Sequence, residues 1–139
     1  MRLIREALGK GGVEGREVGM LEAHGTGTSL GDPIEVQAVA EALGRGRRRG
    51  RGLVMGSAKT NFGHAETAAG ALGVLKALLG LERGAVARHL HLRELNEYIG
   101  TGLMEGMQCV VPVGENVGWR ESRRTAGVSS FGFSGTNAE

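Results

Sequence analysis

Two histidines stand in loops rich in glycine and hydroxyl groups, each shortly after an apolar run. His24 follows residues 18–23 and opens the stretch Gly25-Thr26-Gly27-Thr28-Ser29-Leu30-Gly31-Asp32. His64 closes a second loop that begins at Lys59, after the apolar run 53–57. Two imidazoles aimed at one oxygen can polarise it together, or one can donate while the other moves a proton. Lys59 adds a cation to the second loop, and Glu35, on the segment after the first loop, suits it as a counter-ion. The hydroxyls of Thr26 and Thr28 suit a polar ligand. A third loop, 131–137, offers backbone N–H groups around Gly132-Phe133-Ser134, which match a developing oxyanion.

The elements that must hold these loops are legible as periodicities. Residues 2–8 carry Leu3, Ile4, Ala7 and Leu8 on one stripe, which predicts a short amphipathic helix, followed by a turn over 9–15. Residues 18–23 and 53–57 read as short buried strands. Asp32-Pro33 is a helix start, with Asp as cap and Pro in the first helical position. The helix is expected over 34–43, with Ile34, Ala38 and Leu43 near one side and Gly44 as the stop. From 66 to 81 the chain is apolar almost all round, which predicts a helix buried on most sides. Gly70 and Gly73 in it suggest close packing against another backbone. Residues 84–106 read as irregular, and 108–113 and 125–129 as strands. Strand–loop–helix alternation implies an α/β layered fold with a mixed β-sheet. Ligands in such folds bind at strand ends, where the first two loops begin.

At 139 residues and 14.5 kDa the chain is the size of one domain, 1–139, without a repeat or linker. The buried helix at 66–81 asks for more protein around it than this length supplies. Apolar residues at 40% and charged residues at 23% exclude a disordered chain, and no apolar run reaches the ~18 residues that span a bilayer. The segment 1–6 has neither a long apolar stretch nor a cleavage site, so no signal peptide is expected and the cytoplasm is the default location. A net charge of +2 excludes a global polyanion-binding field. One cysteine excludes an internal disulfide and a cysteine-rich zinc module. Glycine, at 26 residues, is the anomaly, and several of these residues stand in the three loops beside Ser, Thr, Asn and His.

The strings themselves are more specific than their composition. Glu22-Ala23-His24-Gly25-Thr26-Gly27-Thr28-Ser29-Leu30-Gly31-Asp32-Pro33-Ile34-Glu35 resembles the first histidine motif of β-ketoacyl synthases. Gly56-Ser57-Ala58-Lys59-Thr60-Asn61-Phe62-Gly63-His64-Ala65-Glu66-Thr67-Ala68-Ala69-Gly70 is similar to their lysine and second-histidine motif. Ser129-Ser130-Phe131-Gly132-Phe133-Ser134-Gly135-Thr136-Asn137-Ala138 resembles their C-terminal glycine loop. The flavour is that of ketosynthase domains of type I polyketide synthases and animal-type fatty acid synthases. The resemblance implies the C-terminal half of a thiolase-like fold and a decarboxylative Claisen condensation between an acyl thioester and malonyl carrier protein. It assigns His24 and His64 to the malonyl carbonyl and its enolate. Lys59, paired with Glu35, becomes electrostatic support, and Thr26 and Thr28 become contacts to the phosphopantetheine arm. The Phe133 N–H becomes an oxyanion donor, its ring a gate. No bound cofactor is implied, since the substrates travel on the arm of acyl carrier protein. The implied partners are that carrier, an N-terminal ketosynthase half and a second copy in a homodimer.

The family's nucleophilic cysteine belongs to a cysteine- and serine-rich segment of that N-terminal half, which nothing here resembles. Cys109 sits in the apolar string Met107-Gln108-Cys109-Val110-Val111, where burial would raise a thiol's pKa and make it inert. His89 and His91 would share a face if their segment were a strand, but without a third ligand they make no metal site. Trp119 reads as a surface or packing aromatic. The basic run 45–51 lacks interleaved aromatics, so it reads as a solvated loop rather than a nucleic-acid site, with a docking patch for an acidic carrier as the second reading. Two function classes follow. One is the histidine-bearing part of a ketosynthase; the other is a truncated, non-catalytic module that binds carrier or partner.

Overall fold

A computed structural model describes residues 1–47, 52–100, 109–112, 114–119 and 121–139. Helix α1, Arg2–Gly11, buries Ile4 and ends at Gly12 in the left-handed conformation (φ 60°). A 3₁₀ turn, Gly15–Glu17, leads to strand β1, Met20–Glu22. Helix α2 is Gly31–Leu43 and strand β2 is Leu53–Gly56. The single-turn helix α3, Lys59–Phe62, precedes a 3₁₀ turn at Glu66–Ala68 and helix α4, Ala69–Arg83. Six short strands carry the rest: β3 Ala85–Val86, β4 Cys109–Val110, β5 Val117–Gly118, β6 Ala126–Val128, β7 Ser130–Phe131 and β8 Asn137–Ala138.

The four-stranded sheet runs β4-β2-β1-β6, and all its pairings are parallel. Antiparallel pairing is confined to β3–β5 and β7–β8, so the mixed character is divided between separate sheets. β1 is central, and its register aligns Glu22 with Gly56 on one side and Val128 on the other. Consecutive side chains point to opposite faces. Leu21 joins Ile4, Val36, Val39 and Leu43 beneath α1 and α2. Met20 joins Val86 and Trp119, on the face that carries α4. Trp119 is therefore a packing residue. Helices cover both faces, as a parallel sheet requires.

Leu30, not Asp32, is the N-cap residue of α2. Thr28 Oγ1 accepts the Gly31 N–H at 3.0 Å, while Asp32 Oδ1 turns back to the Gly27 N–H at 3.2 Å. The inward stripe of α2 is Val36, Val39 and Leu43, and Ile34 is exposed, because the first turn directs Glu35 inward. α4 starts three residues later than expected, after its 3₁₀ turn, and buries one side only, through Gly73, Ala77 and Gly80. A Cβ at Gly73 would lie 3.0 Å from Val128 Cγ1, so bare backbone is what lets the helix approach the sheet. Val74, Leu75, Leu78 and Leu79 face outward, 42–56% exposed, because no element among the described residues lies over them. Gly70 meets the Ser130 side chain rather than backbone.

Residues 48–51 of the basic run lie outside the described residues, but Arg47 is not solvated. It donates to the carbonyls of Leu43, Gly15 and Val18, tying the end of α2 to the approach to β1. The strand expected over 108–113 is represented by β4, with Gln108 and Val113 outside the described residues. His89 and His91 do not lie on a strand, and His89 Nδ1 accepts the Ser57 N–H at 3.3 Å. Among the described residues no helix is long and apolar enough to cross a membrane.

Candidate active site

The loops after β1 and β2 leave the same end of the sheet, because the strands are parallel and in register there. His24 is the second residue past β1. Its N–H donates to Glu35 Oε1 at 2.8 Å, and the Gly25 N–H donates to Oε2 at 3.0 Å. The Glu35 side chain is buried, so this two-point clamp fixes the loop where the histidine leaves the strand. Gly25 (φ 45°) could not carry a side chain, since a Cβ would also meet Ser57 Cβ at 3.0 Å. Lys59 begins α3, and its Nζ stands 3.5 Å from His24 Nδ1. The His64 ring packs edge-on against that of His24, with centroids 5.6 Å apart and planes at 81°.

The hydrogen bonds settle the tautomers. His24 Nδ1 accepts the Phe131 N–H at 3.2 Å, and His64 Nδ1 accepts the Glu66 N–H at 3.0 Å. A ring nitrogen that accepts carries no proton, so in each neutral ring the hydrogen resides on Nε2. The pair thus presents two N–H donors. Burial lowers the His24 pKa below 6.5, with further lowering from the nearby positive Lys59 and from His64. Burial also lowers the Lys59 pKa, against the attraction of Glu35 and Glu22. Glu35 is pushed above the usual carboxylate range by burial, offset in part by the Gly25 and His24 N–H groups. Imidazoles that present N–H donors beside a cation are suited to stabilise an oxyanion or enolate.

A family model described as beta-ketoacyl synthase, C-terminal domain, matches residues 1–93. The chain belongs to the β-ketoacyl synthase family. Erythronolide synthase EryA2 of Saccharopolyspora erythraea is 48% identical over 141 residues, covering 99% of this chain and 4% of that protein. The oxazolomycin ketosynthase domain OzmH KS7 of Streptomyces albus JA3453 superposes with a TM-score of 0.84 at 36% identity, covering 96% of this chain and 23% of that one. Ketosynthase twelve of the bacillaene polyketide synthase of Bacillus amyloliquefaciens gives 0.85 at 34% identity, covering 96% and 24%. The fold is therefore the thiolase-like fold of ketosynthases, and the chain spans about a quarter of those solved ketosynthase chains.

Of the residues singled out by the ketosynthase motifs, the structure brings His24, Lys59 and His64 together. Glu35 does not contact Lys59 as a direct pair; both its oxygens are taken by backbone N–H groups, and it acts on the lysine at a distance. Thr26 and Thr28 are exposed, with hydroxyls 3.4 Å apart, and Thr28 Oγ1 also accepts the Gly31 N–H at the start of α2. Phe133 is fully exposed at the tip of the β7–β8 hairpin, and it is Phe131 whose ring lies 5.2 Å from His24. Two phenylalanines flank Gly132 in the sequence, and only the β1–β6 register decides that Phe131 is the one beside His24. Cys109 pairs with Leu53, three residues before Gly56 on β2, so it lies about 10 Å along the strand from the histidine end.

Proposed function

We propose that this chain is the histidine-bearing C-terminal half, residues 1–139, of a polyketide-synthase ketosynthase that catalyses decarboxylative Claisen condensation. The observation that carries this reading is the pair of imidazoles whose Nδ1 atoms both accept backbone N–H groups, leaving two Nε2–H donors side by side. In this scheme a cysteine of the N-terminal half takes the acyl group from its thioester, releasing the carrier thiol. Malonyl carrier protein then enters, with Thr26 and Thr28 along its phosphopantetheine arm. As the carbon–carboxylate bond breaks, its electron pair passes into the thioester carbonyl. The resulting enolate oxygen is held by the Nε2–H groups of His24 and His64, with Lys59 supplying positive potential. The enolate carbon attacks the acyl-cysteine, the Phe133 N–H donates to the oxyanion, and collapse expels the thiolate.

The position of Cys109 on β4, beside the far end of β2, and the exposed apolar face of α4 both support a second half as the source of the nucleophile and of the missing wall. The partners in this reading are acyl carrier protein, the N-terminal half and, in the complete enzyme, a second copy of the synthase. The test is carbon dioxide release from malonyl carrier protein by the intact synthase. A His24→Ala, His64→Ala variant should lose it by about a hundredfold or more. Release that persists in a folded double variant refutes the assignment. Intact-mass analysis of the native polypeptide is the companion measurement. A much larger species with an upstream cysteine- and serine-rich segment is expected, and a native chain of 14.5 kDa would turn the reading to a carrier- or partner-binding module.

A further inference from the structure

Glu22 is 1% exposed, two residues before His24, and it touches the supports of all three loops. Its carbonyl accepts the Ser129 N–H at 2.9 Å, just before the third loop. Its Oε1 accepts the N–H of Ala58, the N-cap residue of the turn that carries Lys59. Its Oε2 lies 2.9 Å from Lys76 Nζ on α4, in ion-pair rather than hydrogen-bond alignment. α4 comes close enough for this because Gly73 has no side chain; a Cβ there would stand 3.3 Å from Glu22 Cγ. Lys76 is the only charged side chain in the first thirteen residues of an otherwise apolar helix.

A buried ion pair is a poor device for stability, since well-packed apolar residues of similar size often serve as well or better. An apolar pair could not give the Ala58 N–H an acceptor. We infer that Glu22 is a positioning residue: its carboxylate, paired with Lys76, anchors the Ala58 N–H and so sets Lys59 against His24. This rests on the proposed roles of His24, Lys59 and His64. It is supported by the 3.5 Å approach of Lys59 Nζ to His24 Nδ1, which depends on where α3 starts.

The experiment compares two variants of the intact synthase. Glu22→Gln/Lys76→Met removes both charges and keeps a carbonyl acceptor; Glu22→Met/Lys76→Met removes both charges and the acceptor. Because neither retains the ion pair, a difference between them isolates the acceptor. In decarboxylation of malonyl carrier protein, kcat of the second variant should fall at least about tenfold below that of the first, with KM within about twofold. Equal kcat in two variants with cooperative melts overturns the inference. If the second variant does not fold, amide exchange of segment 58–62 in the first decides. Acceleration of less than about tenfold over the parent supports the anchor, and a larger one overturns it. The His24→Ala, His64→Ala control keeps the failures separate: its retained decarboxylation sinks the proposed function, whereas its loss with equal kcat in the Glu22 variants sinks this inference alone.

Discussion

Replacing Glu35 by glutamine separates two roles that the same carboxylate can play, counter-ion to Lys59 or clamp on the loop that carries His24. The clamp is the one with geometry behind it, at 2.8 Å and 3.0 Å to the His24 and Gly25 N–H groups. An amide in the same place keeps one acceptor oxygen and turns an NH₂ group toward the other N–H, so one buried donor faces another. The orphaned N–H costs about 1–3 kcal/mol, and the surviving bond, no longer charge-assisted, loses about 1 kcal/mol. Relief from burying a charge returns part of this, since burial already raises the Glu35 pKa. The net expectation is a loss of about 2 kcal/mol in unfolding free energy. The assay is denaturant unfolding of the intact synthase, with Lys59→Met and the double variant completing a thermodynamic cycle. If Glu35 acts on the backbone, the two losses add, with a coupling energy below about 0.5 kcal/mol. A coupling above about 1 kcal/mol refutes the reasoning and restores the counter-ion role, and a Glu35→Gln variant as stable as the parent refutes the clamp.

Further outcomes follow from other contacts. The folded-state pKa of His24 lies below 6.5, so the unfolded chain binds this proton first as pH falls. Stability from neutral His24 is thus fully present above pH 6.5 and is lost as pH falls through the folded pKa. The acid limb that His24 contributes to the decarboxylation rate should likewise have its midpoint below pH 6.5, and a His24-dependent limb with its midpoint above 6.5 contradicts the assignment. Arg47→Ala should destabilise the fold by about 2 kcal/mol in chemical denaturation, because three carbonyls lose a charged donor, whereas Arg45→Ala should change stability by less than about 0.5 kcal/mol. Leu75 and Leu78 are about half exposed on α4, so Leu75→Glu/Leu78→Glu should abolish hydrophobic-dye binding by the isolated chain. In the intact synthase the same pair should prevent soluble folding, and a soluble, active double variant would show that nothing covers this face.

The residues themselves determined the chemistry on offer. Imidazole, ammonium and hydroxyl groups occur in short strings whose order is fixed along the chain, so His24, Lys59 and His64 were recognisable as one set before any fold was known. The buried strands and the apolar helix were legible for the same reason, since a period of two or of 3.6 is a local property. Partners far apart in sequence were not legible. Phe131 rather than Phe133 lies on His24, a contact across 107 residues, because the parallel register aligns Glu22 with Val128 and brings the start of the β7–β8 hairpin beside the first loop. Glu35 turned from counter-ion to clamp because the first turn of α2 aims it at backbone N–H groups rather than at Lys59. A lone glutamate in a buried strand and a lone lysine in an apolar helix were each odd, but only packing at Gly73 made them a pair. The outward face of α4 shows the converse limit. Its sequence asks for burial on most sides, and tertiary structure supplies the sheet on one; among the described residues no element covers the other, which in the proposed function is the place of the N-terminal half.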